Sequence, residues 1–372
     1  MRVAVVTESF LPQVNGVTNS VLRVCEQLRA RGHEAMVVAP GPGPTEYAGA
    51  RVVRAPSLPL PGYRDFRLAR PWHQLASTLR DFQPDVVHLA SPTVLGAQAA
   101  FAARRLALPV VAVYQTDLAG FASRYGLSGL ERSTWRWLRT VHGLAGRTLA
   151  PSRHAVEQLR ENGVDRVVRW ARGVDLQRFD PLHRDVELRR RLAPDGQLVV
   201  GYVGRLAHEK QVSLLSCLQG VPGVRLVVVG DGPQRRQLEQ QLPQASFLGF
   251  QQGAELARTF ASLDVFVHTG AHETFCQAAQ EALASGVPVV APAAGGLLDL
   301  VDPGRTGLLF HPGSGQDLRR QVVALSVDDA WRTQLGRQAR TSVEGRGWDV
   351  LGTQLVEHYS QVIGAGHRRL VA

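Results

Sequence analysis

Residues 197–210 read Gln-Leu-Val-Val-Gly-Tyr-Val-Gly-Arg-Leu-Ala-His-Glu-Lys. The first seven make an apolar run of the length and composition of a buried parallel strand. The next seven, Gly204 to Lys210, are a polar loop opened by a glycine. The N-terminus begins in the same way. Residues 2–7 are a short apolar run, and a loop with Pro12, Asn15 and Gly16 leads into a helix over 18–31. That helix carries Val21, Leu22, Val24, Cys25 and Leu28 on one side and has Gly32 just past its end. Each beginning is followed by alternating strands and helices, which predicts two α/β domains with parallel sheets.

In the first half, strands are expected at 34–39, 85–90, 109–115, 147–150 and 167–170, with helices at 94–106, 133–141 and 152–160. Residues 171–196, polar and broken by Pro181 and Pro194, read as a connector. Beyond the opening strand of the second half come strands at 224–229, 245–248, 264–268, 288–291 and 308–310. Helices are expected between them at 211–218, 234–241, 255–262 and 273–285, and residues 315–362 read as wholly helical. No solenoid repeat is present.

The 372 residues suit two domains of about 150 residues each. Hydrophobic residues at 44% and charged residues at 20% exclude disorder, collagen or a coiled coil as a description of the whole chain. No apolar stretch is long enough for a membrane-spanning helix. The net charge of +10 comes almost wholly from arginine, since Lys210 is the only lysine. Isoleucine occurs only at Ile363, and asparagine only at Asn15, Asn19 and Asn162. A GC-rich genome accounts for that bias, so a retained lysine marks a place where arginine did not substitute. Positive charge is compatible with nucleic acid, an anionic membrane or a phosphorylated substrate. Zinc-finger spacing, a GXXG clamp and an aromatic–arginine strand are all lacking, so no nucleic acid partner is expected. Cys25, Cys217 and Cys276 form neither a CxxC nor an even set. With no signal-peptide pattern at the N-terminus, a cytoplasmic location is expected.

Ligands of parallel α/β sheets lie beyond the carboxyl ends of strands. Asn15-Gly16-Val17 stands at such a place, where a glycine admits close backbone approach and a helix N-terminus meets an anion. It is neither GxGxxG nor GxxxxGK[ST], and an ordinary tight turn is the alternative. Arg205 and Lys210, five apart in one loop, match a diphosphate; a solvated basic loop is the alternative. Glu273 and Glu281 form a Glu-x7-Glu pair. On one helix they would be offset by about 80° and separated by about 12 Å. That is too far for two carboxylates on one glycosidic bond, which lie about 5–9.5 Å apart. Glu281 lies among Ala278, Ala279, Ala282 and Leu283, where a ribose diol gives an acid a reason to be. Gly295-Gly296, beyond another strand, offers a backbone surface for an oxyanion, or a plain turn. Tyr114-Gln115-Thr116-Asp117 ends a first-half strand and can hold a sugar hydroxyl. His88 nearby reads as structural more than functional. His268, His272 and Glu273 lack an HExxH spacing, so no metal site is expected, and no GxSxG elbow exists.

Together these segments resemble the retaining nucleotide-sugar glycosyltransferases of family 4. Besides the stretches above, residues 172–181, Arg-Gly-Val-Asp with Phe179 and Pro181, resemble the family's interdomain segment. Gly230-Asp231-Gly232-Pro233 and Phe247-Leu248-Gly249-Phe250 match two further segments, and residues 273–290 are the most specific match. The resemblance runs in order along the whole chain. It implies the GT-B fold, two facing Rossmann-like domains with a C-terminal crossover helix. The domains are expected at 1–171 for the acceptor and 172–347 for the nucleotide sugar, with 348–372 packing back on the first. Carried over by position, Arg205 and Lys210 hold the diphosphate, Glu281 the ribose and Glu273 the sugar hydroxyls. Asn15 and Gly16 approach the phosphates, Phe247 to Gly249 the base, and Phe275 lies in the same donor motif. The resemblance implies no tightly bound cofactor and no required metal. One position departs: many members carry a histidine where this chain has Gln115. Glutamine can be neither a general base nor a cation, and Asp117 is the neighbouring carboxylate that can share the role.

The stretches 14–17 and 114–121 are similar to actinobacterial enzymes that move mannose from GDP-mannose to glycolipids. They are similar also to enzymes that glycosylate diacylglycerol, for which the donor would be a UDP-sugar. A nucleotide-sugar hydrolase or a binding protein without transferase activity is the rival class. For a lipid acceptor, peripheral binding to the anionic inner face of the membrane is expected. The surface would run over 121–139, with Phe121, Tyr125, Leu127, Leu130, Trp135, Trp137 and Leu138 interleaved with Arg124, Arg132, Arg136 and Arg139. The sequence sets no oligomeric state.

Overall fold

Val3, Ala4, Val5 and Val6 are wholly buried, which places strand β1 (Arg2–Val6) in the middle of the first sheet. The structure, a computed structural model, describes residues 1–60, 63–117, 120, 129 and 131–371, without the side chains of 60, 63–66 and 366–371. It divides into two units, Met1–Arg172 with Trp348–Ala372, and Gly173–Gly347.

In the first unit β1 leads to α1 (Gly16–Ala30), β2 (Glu34–Pro40), β3 (Glu46–Tyr47) and β4 (Ala50–Ala55). A hairpin, β5 (Ser57–Leu60) and β6 (Tyr63–Ala69), precedes α2 (Leu75–Phe82). Then come β7 (Val86–Leu89), α3 (Val94–Arg105), β8 (Val110–Val113), α4 (Glu131–Gly143), β9 (Arg147–Ala150), α5 (Arg153–Glu161) and β10 (Val167–Arg169). The sheet order is β10-β9-β8-β7-β1-β2-β4-β3, parallel except for the short β3. Parallel neighbours are usually joined through a crossover helix, as the βα alternation provides, but β2 and β4 are joined through β3 instead.

The second unit runs through α6 (Val186–Leu192), β11 (Leu198–Val203), β12 (Val224–Val229), α7 (Arg235–Gln241), β13 (Ser246–Gly249) and α8 (Gly253–Ser262). It continues with β14 (Val265–Val267), α9 (Gln277–Ala284), β15 (Val289–Pro292), β16 (Gly307–Phe310), α10 (Gly315–Val327) and α11 (Asp329–Val343). Its parallel sheet has the order β13-β12-β11-β14-β15-β16, the doubly wound 3-2-1-4-5-6 arrangement.

The last helix, α12 (Trp348–Val371), belongs to the first unit. Leu351, Leu355, Tyr359 and Val362 join a core that includes Val3, Val5, Val113 and Leu149. The Trp170 indole N–H donates to the Leu351 carbonyl at 3.0 Å. At Gly146 a Cβ would meet Val362 Cγ1 at 2.7 Å, so the helix needs a glycine beneath it. His88 Nδ1, buried on β7, lies 2.6 Å from the Tyr359 hydroxyl. Burial lowers His88 to about 4. The imidazole is therefore neutral near pH 7, and its Nδ1 is hydrogen-bonded to the hydroxyl. His88 is structural.

The structure departs from the sequence reading in four places. Strands β3 to β6 and helix α2 were not expected. In β4, buried Ala50, Val52 and Ala55 are small and share the strand with arginines, so no apolar run forms. The expected connector contains α6 and a 3₁₀ turn at Pro181–His183. The expected helix at 211–218 is 3₁₀ over Val212–Leu218. Helix α9 starts at Gln277 rather than 273, because Cys276 takes φ 76° and interrupts it. Glu273 therefore lies in a loop, and the helical spacing argued for Glu273 and Glu281 does not apply.

Burial also lowers His142 to about 4, and burial with the Arg147 guanidinium lowers His358 to about 4. These histidines stay neutral in the folded chain while the unfolded chain takes up protons. Their contribution is complete above pH 6.5 and is lost as pH falls toward 4. Urea unfolding should show a midpoint that falls across this interval. Tyr359→Phe leaves His88 Nδ1 buried without a partner and should cost about 1–3 kcal/mol at pH 7.5. An unchanged midpoint in Tyr359→Phe would show that the contact does not secure α12.

Candidate active site

From β11 the second sheet grows outward through β12 and β13, and the chain then returns to place β14 on the other side of β11. Loops that leave two such strands diverge and open a crevice at the sheet edge. After β11 comes Gly204, then a 3₁₀ turn over His208–Lys210; after β14 come His268 to Cys276. Lys210 Nζ lies 2.5 Å from Glu273 Oε1, and His268 Nε2 lies 2.9 Å from the same oxygen. The side chains are 27%, 14% and 4% exposed for Lys210, Glu273 and His268, so this is a largely desolvated carboxylate between two cations. The Thr269 hydroxyl donates to the Lys210 carbonyl at 2.7 Å and ties the loops together. The Tyr202 ring stacks on His268, with centroids 6.1 Å apart.

Burial by itself would raise the Glu273 carboxyl, but Lys210 and His268 outweigh it and hold the acid well below its ordinary range. Burial would likewise lower His268, yet Cys276 and Glu273 raise it to about 9. The carboxylate's contribution to stability is present above its ordinary pKa of 4.5 and lost on acidification. The contribution of the imidazolium is complete below pH 6.5 and lost as pH rises through about 9. Around neutrality both groups carry charge.

Glycines brace both loops. The Gly204 N–H donates to the Val229 carbonyl at 3.0 Å and the Leu206 N–H to the Asp231 carbonyl at 2.9 Å. A Cβ at Gly230 would stand 2.0 Å from the Gly204 oxygen, and one at Gly232 2.4 Å from the Leu206 oxygen. The Gly230-Asp231-Gly232 segment is therefore the support of the basic loop. The Gly230 N–H donates to the Gly249 carbonyl at 2.7 Å, which brings the end of β13 into the same stack. Phe247 packs, half-buried, against the core of this unit. Gly295 and Gly296 were expected to offer N–H groups to an oxyanion. Instead the Gly296 N–H donates to the Glu273 carbonyl at 2.7 Å, and the pair backs the acidic loop.

Arg205 is exposed, and its carbonyl accepts the Tyr202 hydroxyl at 3.1 Å. Glu281 is half-buried on α9 rather than enclosed among small residues as expected. Phe275 is 2% exposed, so its ring belongs to the core. In the first unit Asn15 caps α1, its Oδ1 accepting the Val17 and Thr18 N–H groups, both at 2.9 Å. A Cβ at Gly16 would meet only Arg172 Nη1, at 3.7 Å, and the Gly16 carbonyl accepts the Arg172 guanidinium. Gln115 Nε2 donates to the Ala90 carbonyl at 3.2 Å. Asp117 Oδ1 accepts the Gly120 N–H at 2.9 Å and the Tyr114 hydroxyl at 3.3 Å.

Residues 14–178 match the family described as Glycosyltransferase Family 4, and residues 184–342 match Glycosyl transferases group 1. A GDP-mannose-dependent alpha-mannosyltransferase of Mycobacterium tuberculosis is 52% identical over 370 residues, covering 98% of this chain and 97% of the relative. The chain belongs to glycosyltransferase family 4. A more distant M. tuberculosis relative, a GDP-mannose-dependent alpha-(1-6)-phosphatidylinositol dimannoside mannosyltransferase, is 26% identical, covering 91% of this chain and 89% of its own. A crystal structure of Anabaena HepE in complex with UDP superposes with a TM-score of 0.82 at 22% identity, covering 97% of this chain and all of that one. The glycosyltransferase thus has the two-domain GT-B architecture, with α12 as its crossover helix.

Sequence reasoning had set aside two features of this glycosyltransferase. His268, Glu273 and Cys276 hold metal-ligand-type atoms within 4.8 Å of one another, although no helical ligand spacing announces them. A bent loop, not a helix, gathers them. Glu8, in the loop that follows β1, is a buried acceptor for the Ala69 N–H at 2.7 Å, the Thr93 hydroxyl at 2.8 Å and the Leu95 N–H at 3.0 Å. The position of both groups just after a strand was the available signal.

Of the expected membrane surface, Phe121, Arg124, Tyr125, Leu127 and Leu130 lie outside the described residues. Trp135 and Leu138 are not on it, because they face the core with Leu159 and Val167. Arg132, Arg136 and Arg139 are exposed, and Trp137 is 43% exposed with its indole N–H donating to the Pro92 carbonyl at 2.9 Å. Among the described residues no helix is long and apolar enough to cross a membrane.

At Gly296 a Cβ would stand 2.5 Å from the Thr274 oxygen and 2.6 Å from Phe275 Cα, both backbone. Gly296→Ala should therefore displace the Glu273 loop and cost about 1–3 kcal/mol in urea unfolding. An unfolding midpoint equal to that of the wild type would show that the loop yields without cost.

Proposed function

We propose that this glycosyltransferase moves mannose from GDP-mannose, with retention of configuration, onto a lipid or glycolipid acceptor. The observation that carries the chemistry is the Lys210 ammonium fixed beside Glu273 at the strand crossover. Arg205 and Lys210 supply positive charge for the diphosphate. Glu273 accepts hydrogen bonds from sugar hydroxyls, Glu281 from the ribose, and the backbone of Phe247 to Gly249 lies along the base. Gly16, at the start of α1, gives the phosphates room for close backbone approach. The donor preference rests on the 52% identical relative, and the lipid acceptor on the phosphatidylinositol dimannoside enzyme.

In the transfer, the bond between the sugar's anomeric carbon and the phosphate oxygen breaks, and its electron pair leaves with GDP. The acceptor hydroxyl oxygen bonds to that carbon on the same face. Its proton passes to the departing phosphate oxygen, since Gln115 can accept none as a base. Asp117 orients the acceptor through its turn. Lys210 meets the charge that develops on the leaving phosphate, where a fixed donor in a desolvated site is worth most. Arg132, Arg136, Arg139 and Trp137 form the described part of a surface for anionic headgroups, so the enzyme works at the cytoplasmic face of the membrane. These cations also make a bound metal unnecessary for the diphosphate.

Lys210→Ala should lower kcat about 10²-fold or more at saturating donor, and Lys210→Arg should restore only part, because guanidinium is broad and planar. Equal kcat for wild type and Lys210→Ala would remove the residue from the chemistry. GDP-mannose, UDP-glucose and UDP-GlcNAc can be compared with total lipid, with lipid omitted, and with EDTA. Mannose transfer that needs lipid, survives EDTA and is faster on vesicles containing phosphatidylglycerol than on pure phosphatidylcholine is expected. Rapid nucleotide release without lipid would indicate a hydrolase, and transfer only from UDP-sugars would overturn the donor.

A further inference from the structure

His268 is out of place as a purely structural residue. Its side chain is 4% exposed, and neither ring nitrogen has a hydrogen-bond partner of good geometry. A buried polar group of that kind costs free energy unless something completes it. Its backbone is fixed, with the N–H donating to the Val290 carbonyl at 2.9 Å, and its ring is held by the stack on Tyr202. Eight residues on, Cys276 occupies a left-handed backbone conformation, φ 76°, that a non-glycine residue takes only when its surroundings impose it. The loop that imposes it turns the buried thiol toward the imidazole and the carboxylate. One nitrogen, one oxygen and one sulfur thus lie within 4.8 Å of one another.

We infer that His268, Glu273 and Cys276 form a site for a thiophilic divalent cation such as Zn²⁺, whose binding inhibits the enzyme by taking Glu273 from Lys210. The donor set decides the kind of metal. Imidazole, carboxylate and thiolate together suit zinc or cobalt, whereas magnesium prefers oxygen ligands alone. Zinc bonds of about 2.0–2.3 Å need ligand atoms roughly 3.3–3.8 Å apart, within reach of small rotations from the observed cluster. Three protein ligands leave a fourth position for water. The metal binds thiolate and neutral imidazole, and the protons these groups give up pass to solvent. Lys210 is the competitor. Its ammonium, 2.5 Å from Glu273 Oε1, occupies the carboxylate the metal needs and repels the incoming cation. Metal in place would push Lys210 out of position. The cluster is therefore distinct from a cofactor site: the enzyme does not need the ion and is poisoned by it.

The inhibition rests on the proposed role of Lys210 in transfer, but the binding does not, so the two can fail separately. Metal-free full-length enzyme is titrated with Co²⁺, whose bond to a thiolate gives a near-ultraviolet charge-transfer band. A single equivalent should produce the band, Zn²⁺ should abolish it and excess Mg²⁺ should not. Cys276→Gly removes the thiol and suits the left-handed backbone, so it should fold and lose the band. His268→Gln should weaken Co²⁺ binding, and Lys210→Gln should tighten it by about tenfold or more, since a neighbouring like charge is gone. In the transfer assay, Zn²⁺ should inhibit wild type and leave Cys276→Gly much less sensitive. Absence of the band, or a band of full strength in Cys276→Gly, would overturn the site. A band that behaves as expected with no inhibition of transfer would overturn the inhibitory role while leaving the site intact.

Discussion

A carboxylate kept ionised away from water is the constraint around which the second unit is arranged. Glu273 is 14% exposed, and an isolated acid so placed would protonate. The Lys210 ammonium, 63 residues away in sequence, and the His268 imidazolium, from the same loop as the acid, prevent this. They meet because the sheet reverses direction between β11 and β14, so two loops more than fifty residues apart leave adjacent strands. An ion pair at that crevice does more than balance charge. It fixes the only lysine of an arginine-rich chain at one point, where a flexible four-carbon stem would otherwise wander.

The glycines near the site are better understood as spacers between loops than as contacts for a ligand. Gly230 and Gly232 let one turn lie against the backbone of Gly204 and Leu206, and Gly295 and Gly296 do the same for residues 273–275. In each case a methyl group would sit within 2.5 Å of a carbonyl oxygen. Side chains that must be placed within tenths of an ångström are held here by backbone packed on backbone, which has no rotamers to sample. Gly16 differs from these, because a Cβ there would meet only Arg172 Nη1, at 3.7 Å.

The first unit is closed by its own C-terminal helix. Tyr359 reaches His88 across the core, Trp170 secures Leu351, and Gly146 makes room for Val362. The helix is last in sequence but packs on strands from the first half, so neither half of the chain completes this core alone. Three histidines held neutral by burial make the same unit sensitive to acid. The second unit, where the histidine is charged, responds in the opposite direction.

The alternation of apolar strands and amphipathic helices was enough to establish two parallel α/β sheets, since strand and helix periods are local properties of the chain. Polar residues just after a strand pointed to Arg205 and Lys210 as candidates, and the Glu-x7-Glu spacing pointed to Glu273. The same reading passed over β3 to β6; in β4 the buried Ala50, Val52 and Ala55 stand between arginines, so no apolar run forms. It also extended α9 over Glu273, because nothing in the residue types announces a left-handed backbone at Cys276. Nor could it tell a bracing glycine from a ligand-binding one, or a core tryptophan such as Trp135 from the exposed Trp137 four-tenths open to solvent. Those distinctions depend on which distant segment arrives alongside. Periodicity reports what each segment can bury, but strand order decides what it is buried against, and only the folded sheet brings His268, Glu273, Cys276 and Lys210 to one point.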